Sequence, residues 1–212
     1  VAPFVAVPAG LYAAIEACLQ ACEPAAKLAL TAAVAERIAA GDTPADVDHR
    51  VLPLAVPGRP ERPVLVAPRE LKQRKLTTPL GRAALVHAVA HIEFNAINLA
   101  WDAAYRFRHA GIDYLRDWAS VAADEARHFA LLQSRLQEMG HAYGDFPAHN
   151  GLWETAVATA GDFVARMALV PRVLEARGLD VTPGMIERLQ AVGDHATVAA
   201  LHPLALKAQT QA

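Results

Sequence analysis

The chain has 212 residues, 54% of them hydrophobic and 6% aromatic, and a formal net charge of −2. That length allows one good-sized domain with an extension. The abundance of alanine and leucine favours helix over strand, and the near-neutral balance leaves no electrostatic footprint for nucleic acid. No uncharged apolar run reaches the roughly 18 residues of a membrane span, so no membrane association is expected. The apolar start, VAPFVAVPAGLYAAIEACL, has no basic n-region and is interrupted by prolines, so it reads as neither signal nor anchor.

Residues 9–22 and 24–41 predict two short helices, split near Pro24 and closed by Gly41 and Asp42. Cys18 and Cys22 lie four apart on the first. No second Cys or His pair lies near them, so they read as small thiols rather than a zinc site, which suits a reducing, cytoplasmic setting. The segment 43–79 carries seven prolines and cannot be one regular element. It is expected to be an extended arm or linker, and its KQRK run at 72–75 to be a solvated segment rather than a binding patch.

A long helix is predicted from Thr78-Pro79 to Gly111, with Leu85, Val89, Ile92, Ala96, Leu99, Ala103 and Phe107 as its apolar stripe. A second runs from about Asp113 to Met139, stopped by Gly140, with a stripe of Trp118, Ala122, Glu125, Phe129, Leu132 and Leu136. A loop, GHAYGDFPAHNG, leads to a third over 152–177, stopped by Gly178. Thr182 as N-cap and Pro183 at the first helical position start a fourth. Four long amphipathic helices predict an all-α helix bundle. The expected layout is an N-terminal helical extension over 1–42, the Pro-rich arm over 43–79 and the bundle over 80–212.

Glu125 occupies a stripe position, where a core residue belongs. A buried, unpaired carboxylate is costly, so it must be paired, protonated or bound to a metal. His128, one turn on, points to nearly the same side. The spacing leaves two readings open: half of a metal site, or a core ion pair completed from another helix. Glu138 and His141 repeat the spacing but straddle Gly140, so they are read as a helix end. Glu93 flanks the first stripe; it lies 17 residues before Ala110, and Glu125 lies 14 after Gly111. At about 1.5 Å per residue, an antiparallel pair of helices would bring the two carboxylates to heights within one turn. The alternative for Glu93 is a boundary carboxylate in water. His87 and His91 lie well around the helix from Glu93 and read as surface or supporting histidines.

The strings HAVAHIEFNAINLAWDAAYRF, DWASVAADEARHFALL, YGDFPAHNGLWE and MALVPRVLEARGLDVTPG resemble the bacterial ferritin-like proteins catalogued as domain of unknown function 455, over about residues 55–195. More distantly the pattern is similar to di-iron hydroxylases of the ferritin-like superfamily, including the enzyme that hydroxylates modified tRNA. The resemblance implies a ferritin-like four-helix bundle with a carboxylate-bridged dinuclear iron or manganese centre. It implies Glu93 as ligand from the first long helix, Glu125 as bridging ligand, His128 as terminal ligand and Glu175 as ligand from the third, with Asp162 a rival on height.

The chain departs from that pattern in the fourth helix, where a second Glu-x-x-His is required. Glu187 is followed three later by Gln190, Asp194 and His195 are adjacent, and His202 precedes Pro203, a helix breaker. The tail after about Leu201 no longer looks like the family and reads as truncated or aberrant. The expectation is therefore a partial site holding at most one ion through Glu93, Glu125 and His128. It would belong either to an oxidase or hydroxylase of an unknown small-molecule substrate or to a non-catalytic helical bundle, with homo-oligomerisation left open.

Overall fold

The structure is a computed structural model that describes residues 5–52 and 54–210; the side chains of 171–181 and 205–210 lie outside the description. Its α-helices in chain order are α1 Leu11–Gln20, α2 Pro24–Ala39, α3 Pro79–Arg106, α4 Ile112–Glu138, α5 Gly151–Ala158, α6 Phe163–Ala191 and α7 His195–Thr210. Among the described residues no strand forms; an isolated parallel bridge joins Leu65 to Ala148. The protein is all-α, as its composition predicts. The chain divides into two compact units, Val1–Glu61 with Glu93–Arg127, and Arg62–Ile92 with His128–Ala212.

The first unit is built on α1, α2 and parts of α3 and α4. Its core holds Leu11, Ile15 and Leu19 of α1, Leu30, Val34 and Ile38 of α2, and Phe94, Ile97, Trp101 and Tyr105 of α3. The last turn of α1 leaves carbonyls that no helical N–H reaches. Two of them are taken by the fully buried Lys27 of α2, whose Nζ donates to Cys18 O at 2.6 Å and Leu19 O at 3.3 Å. The same ammonium donates to Asn98 Oδ1 of α3 at 2.7 Å and lies 5.6 Å from the Phe94 ring centroid. Burial pulls the Lys27 amine down to about 7 and pushes the neighbouring Cys18 thiol up to about 12. Trp101 Nε1 donates to Thr31 Oγ1 at 3.0 Å, a second polar link between α3 and α2.

The Pro-rich segment is held at defined points. Asp46 accepts from the backbone N–H groups of Tyr12 and Ala13, the orphan donors at the start of α1. Gly58 N donates to Leu19 O at 2.7 Å, and a Cβ at Gly58 would sit 2.2 Å from Gln20 O, so only glycine fits there.

In the second unit, Val66 N donates to Ala148 O and Ala148 N to Val64 O, fastening the arm to the loop after α4. Asp194, 9% exposed, ties three elements together. It accepts from Thr197 N and Oγ1 at the start of α7, pairs with Arg135 of α4 at 3.0 Å and with Arg82 of α3 at 3.0 Å. Burial alone would raise its carboxyl, but the Thr197 donors and the two guanidinium groups hold it below the usual range.

Several helix boundaries differ from the sequence expectation. The helix expected over 152–177 is two helices, broken after Ala158. Asp162 caps the second, accepting from Ala165 N at 2.9 Å, and the buried Arg166 donates to Thr159 Oγ1 across the break at 2.8 Å. α6 then runs through Gly178, Thr182 and Pro183 without stopping, so Thr182 caps nothing. An interior Gly costs about 1 kcal/mol and an interior Pro about 3; α6 forms against these local preferences, and it packs against α7. The chain turns instead at Gly193, with φ of 75°, and α7 continues through Pro203.

α3 is not the one-striped helix its sequence predicts. Every residue from Glu93 to Tyr105 is buried, so this stretch is covered on all sides. By length and composition α3 is long and apolar enough to cross a membrane, and 78% of its most apolar window is buried inside the protein.

Replacing Lys27 by Met strands Cys18 O and Asn98 Oδ1 and leaves Leu19 O with its bond from Gly58 N alone, so Lys27→Met is expected to lower stability by about 1–3 kcal/mol. Combining it with Asn98→Leu recovers part of that loss in a double-mutant cycle followed by chemical denaturation. Simple additivity of the two would show that the Lys27–Asn98 bond is not what matters.

Candidate metal centre

α3 and α4 are joined by residues 107–111, with Gly111 at φ of 94° making the turn. Glu93 lies 13 residues before the last residue of α3 (106 − 93) and Glu125 lies 13 after the first residue of α4 (125 − 112). His128 follows Glu125 by one turn. The structure brings one ligand atom from each of Glu93, Glu125 and His128 together, all within 4.8 Å of one another.

Their burial reverses what the stripe predicts. Glu93, expected at the flank, is 8% exposed, as is His128. Glu125, expected in the core, is half-buried. The buried row of α4 runs Leu115, Ala119, Ala122, Ala126, Phe129, Leu132 and Leu136, and Glu125 sits at its edge next to Ala126. A helix turn of about 100° per residue separates the two positions.

Three donors spread around one ion at about 2.1 Å lie at most about 3.6 Å apart. Atoms within 4.8 Å of one another therefore reach a shared cation by side-chain shifts of about an ångström. Two carboxylates supply a charge of −2 against a divalent ion, which limits the cost of burying the group. Carboxylate oxygen with imidazole nitrogen suits iron, manganese or zinc better than a soft ion. The residues present fit a single divalent cation.

Of the other residues singled out from the sequence, Glu175 lies outside the described side chains. Asp162 is the cap of α6 and Asp194 is held by Arg82 and Arg135. Among the described residues, Glu93, Glu125 and His128 form the one group of three or more such side chains at metal-ligand spacing.

His87 and His91 are not on the surface. They are 1% and 8% exposed and seat the loop after α4. His91 Nε2 donates to His149 O at 3.1 Å, a carbonyl being able only to accept, and its Nδ1 meets the Tyr143 hydroxyl at 2.9 Å. Gly144 N donates to His87 Nε2 at 2.9 Å, which puts the His87 proton on Nδ1, a buried atom with no hydrogen-bond partner among the described residues. Tyr143 stacks on His87, with ring centroids 5.3 Å apart, and meets Phe129 edge-on at 5.0 Å. His91 lies two residues before Glu93 and Phe129 directly follows His128, so this loop packs on the residues that flank two of the three ligand candidates. Nothing in the spacing of the sequence announces it, because its partners are 52 to 58 residues apart.

The family profile described as protein of unknown function (DUF455) matches residues 20–205. An uncharacterised protein of Haemophilus influenzae is 53% identical over 146 residues, covering 66% of this chain and 51% of that protein. The chain thus spans about half the length of the curated relative it matches. No solved structure matches it significantly. The family match extends beyond the expected 55–195 at both ends. The stretch 187–202, without a second Glu-x-x-His, falls inside it.

Burial pulls the His87 imidazole from 6.5 down to about 4. The folded state therefore binds fewer protons than the unfolded one between these values. The stability this site contributes is fully present above pH 6.5 and is lost as pH falls through about 4. The gap corresponds to about 3 kcal/mol. Denaturant midpoints of the wild type should fall more steeply over that window than those of His87→Gln, which keeps an acceptor for Gly144. Parallel pH profiles would contradict the assignment.

Proposed function

We propose, for a chain that belongs to the DUF455 family of proteins of unknown function, that Glu93, Glu125 and His128 hold a divalent iron or manganese ion and that the protein oxidises an organic substrate with dioxygen. The observation that carries this is the convergence of two carboxylates and one imidazole within 4.8 Å on two long helices. The set matches half of a dinuclear carboxylate site, in which one helix gives a Glu and another a Glu-x-x-His pair. A ferritin-like bundle is the fold this reading requires, and the all-helical structure is consistent with it. Glu175 of α6 is the remaining ligand candidate. With Gln190 where a second His is needed, one ion per chain is the expected loading.

A bound redox-active ion would bind dioxygen and pass it one electron at a time, the organic substrate being the source of the remaining electrons. The chain's own residues supply the rest of the site. Glu93, buried in α3, gives a charge in a medium of low dielectric, where its attraction to a cation is strong. Glu125, half-buried at the edge of the α4 stripe, is the ligand with a path to solvent. His128 offers neutral nitrogen, its helix position fixed by the buried Phe129 next to it.

A non-catalytic helical protein that binds metal or a partner is the second reading, favoured by the absence of a second Glu-x-x-His. Oxygen uptake separates them. Protein loaded anaerobically with ferrous iron and then exposed to dioxygen is expected to consume it in proportion to bound iron, and Glu125→Ala is expected to consume none. Iron-loaded wild type that leaves dioxygen untouched would sink the oxidase reading and leave the second.

A further inference from the structure

The cations of this protein fall into two populations. Those on the helices are mostly committed: Arg37, Arg82, Arg106, Arg116, Arg127 and Arg135 each pair with a carboxylate. Those of the segment 62–82, Arg82 at its end excepted, are not. Between residues 62 and 82 there are six Lys or Arg and one acid, Glu70, a net of +5 (6 − 1). The whole chain carries −2, so the remainder carries −7 (−2 − 5). Arg82 is taken by Asp194, and Glu70 is turned back onto the Ala67 N–H. Arg62, Arg69, Lys72 and Lys75 are exposed, and Arg74 is half-buried over the Phe146 ring at 5.3 Å. None of these five has an ion-pair partner among the described residues.

The segment is anchored rather than loose. The Leu65–Ala148 bridge holds one end. Thr78 Oγ1 donates to Lys75 O at 2.9 Å, and Arg82 Nη1 donates to Leu76 O at 3.0 Å, at the other. Four cations between 69 and 75 are confined to a stretch of at most about 20 Å, so their fields overlap at a screening length of about 8 Å. In the same segment, Val64 is 58% and Leu80 50% exposed.

Against the expectation from the sequence of no membrane association and a merely solvated KQRK run, we infer that the segment 62–82 docks the protein reversibly on an anionic lipid surface, its cations meeting headgroup phosphates and its exposed aliphatic side chains the interface. A nucleic acid is the less suited polyanion. The segment contains no Phe, Trp or Tyr on which bases stack, and exposed Val and Leu gain nothing against a phosphodiester backbone. The inference is independent of the metal reading.

Sedimentation with vesicles tests it on the whole chain. Vesicles of phosphatidylcholine mixed with phosphatidylglycerol should carry the protein down at low salt and release it at high salt, whereas vesicles of phosphatidylcholine alone should not bind it. Each surface cation contributes about fivefold, so Lys72→Glu with Lys75→Glu, both at exposed positions, should weaken binding by roughly thirtyfold or more. Circular dichroism of the double variant checks that the fold is kept. Equal binding to both vesicle types, undiminished binding by the variant, or binding to neither would overturn the inference. So would retention of a duplex oligonucleotide without vesicle binding, which would make nucleic acid the partner.

Discussion

A carboxylate in the middle of a covered helix is the constraint on which the rest of this structure turns. α3 is buried on every side from Glu93 to Tyr105, and such a helix normally carries only apolar side chains. This one carries Glu93, Asn95, Asn98 and Asp102. Each must find a partner, because an unsatisfied polar group costs most where water is absent. Asn98 Oδ1 is met by Lys27, while its Nδ2 has no hydrogen-bond partner among the described residues, and Asp102 is met by Arg106 at 2.7 Å. Glu93 is met by Glu125 and His128, an arrangement that leaves two like charges close together unless a proton or a cation joins them.

The same economy explains the N-terminal helices. Lys27 joins the end of α1 to α3 through three acceptors, and Tyr105 of α3 reaches Glu16 of α1 at 3.0 Å while its hydroxyl also accepts from Leu52 N. Pairing the polar groups of α3 thus orders both the helical pair and the Pro-rich segment beyond it. In the second unit Asp194 plays the corresponding part, collecting Arg82, Arg135 and the start of α7.

Much of this was legible in the sequence where one local rule dominated. Pro24, Gly111 and Gly140 marked α2, the α3–α4 turn and the end of α4, and the comparable distances of Glu93 and Glu125 from the turn put them within one turn of each other in height, consistent with their convergence. Reading failed where long-range packing outweighed local preference. Gly178 and Pro183 signal a boundary, yet α6 runs through both. A stripe assigned by period alone placed Glu125 inside and Glu93 at the flank, although one residue's rotation reverses that. His87 and His91 looked peripheral because the loop that covers them lies more than fifty residues away. Asp162, a rival ligand on height, is spent on a helix cap, and Asp194 on an ion-pair cluster.

The most direct measurement is the metal content of the purified protein, by elemental analysis, beside that of Glu125→Ala. About one iron or manganese ion per chain in the wild type, absent from the variant, is the result this account predicts. No metal in either protein would contradict it.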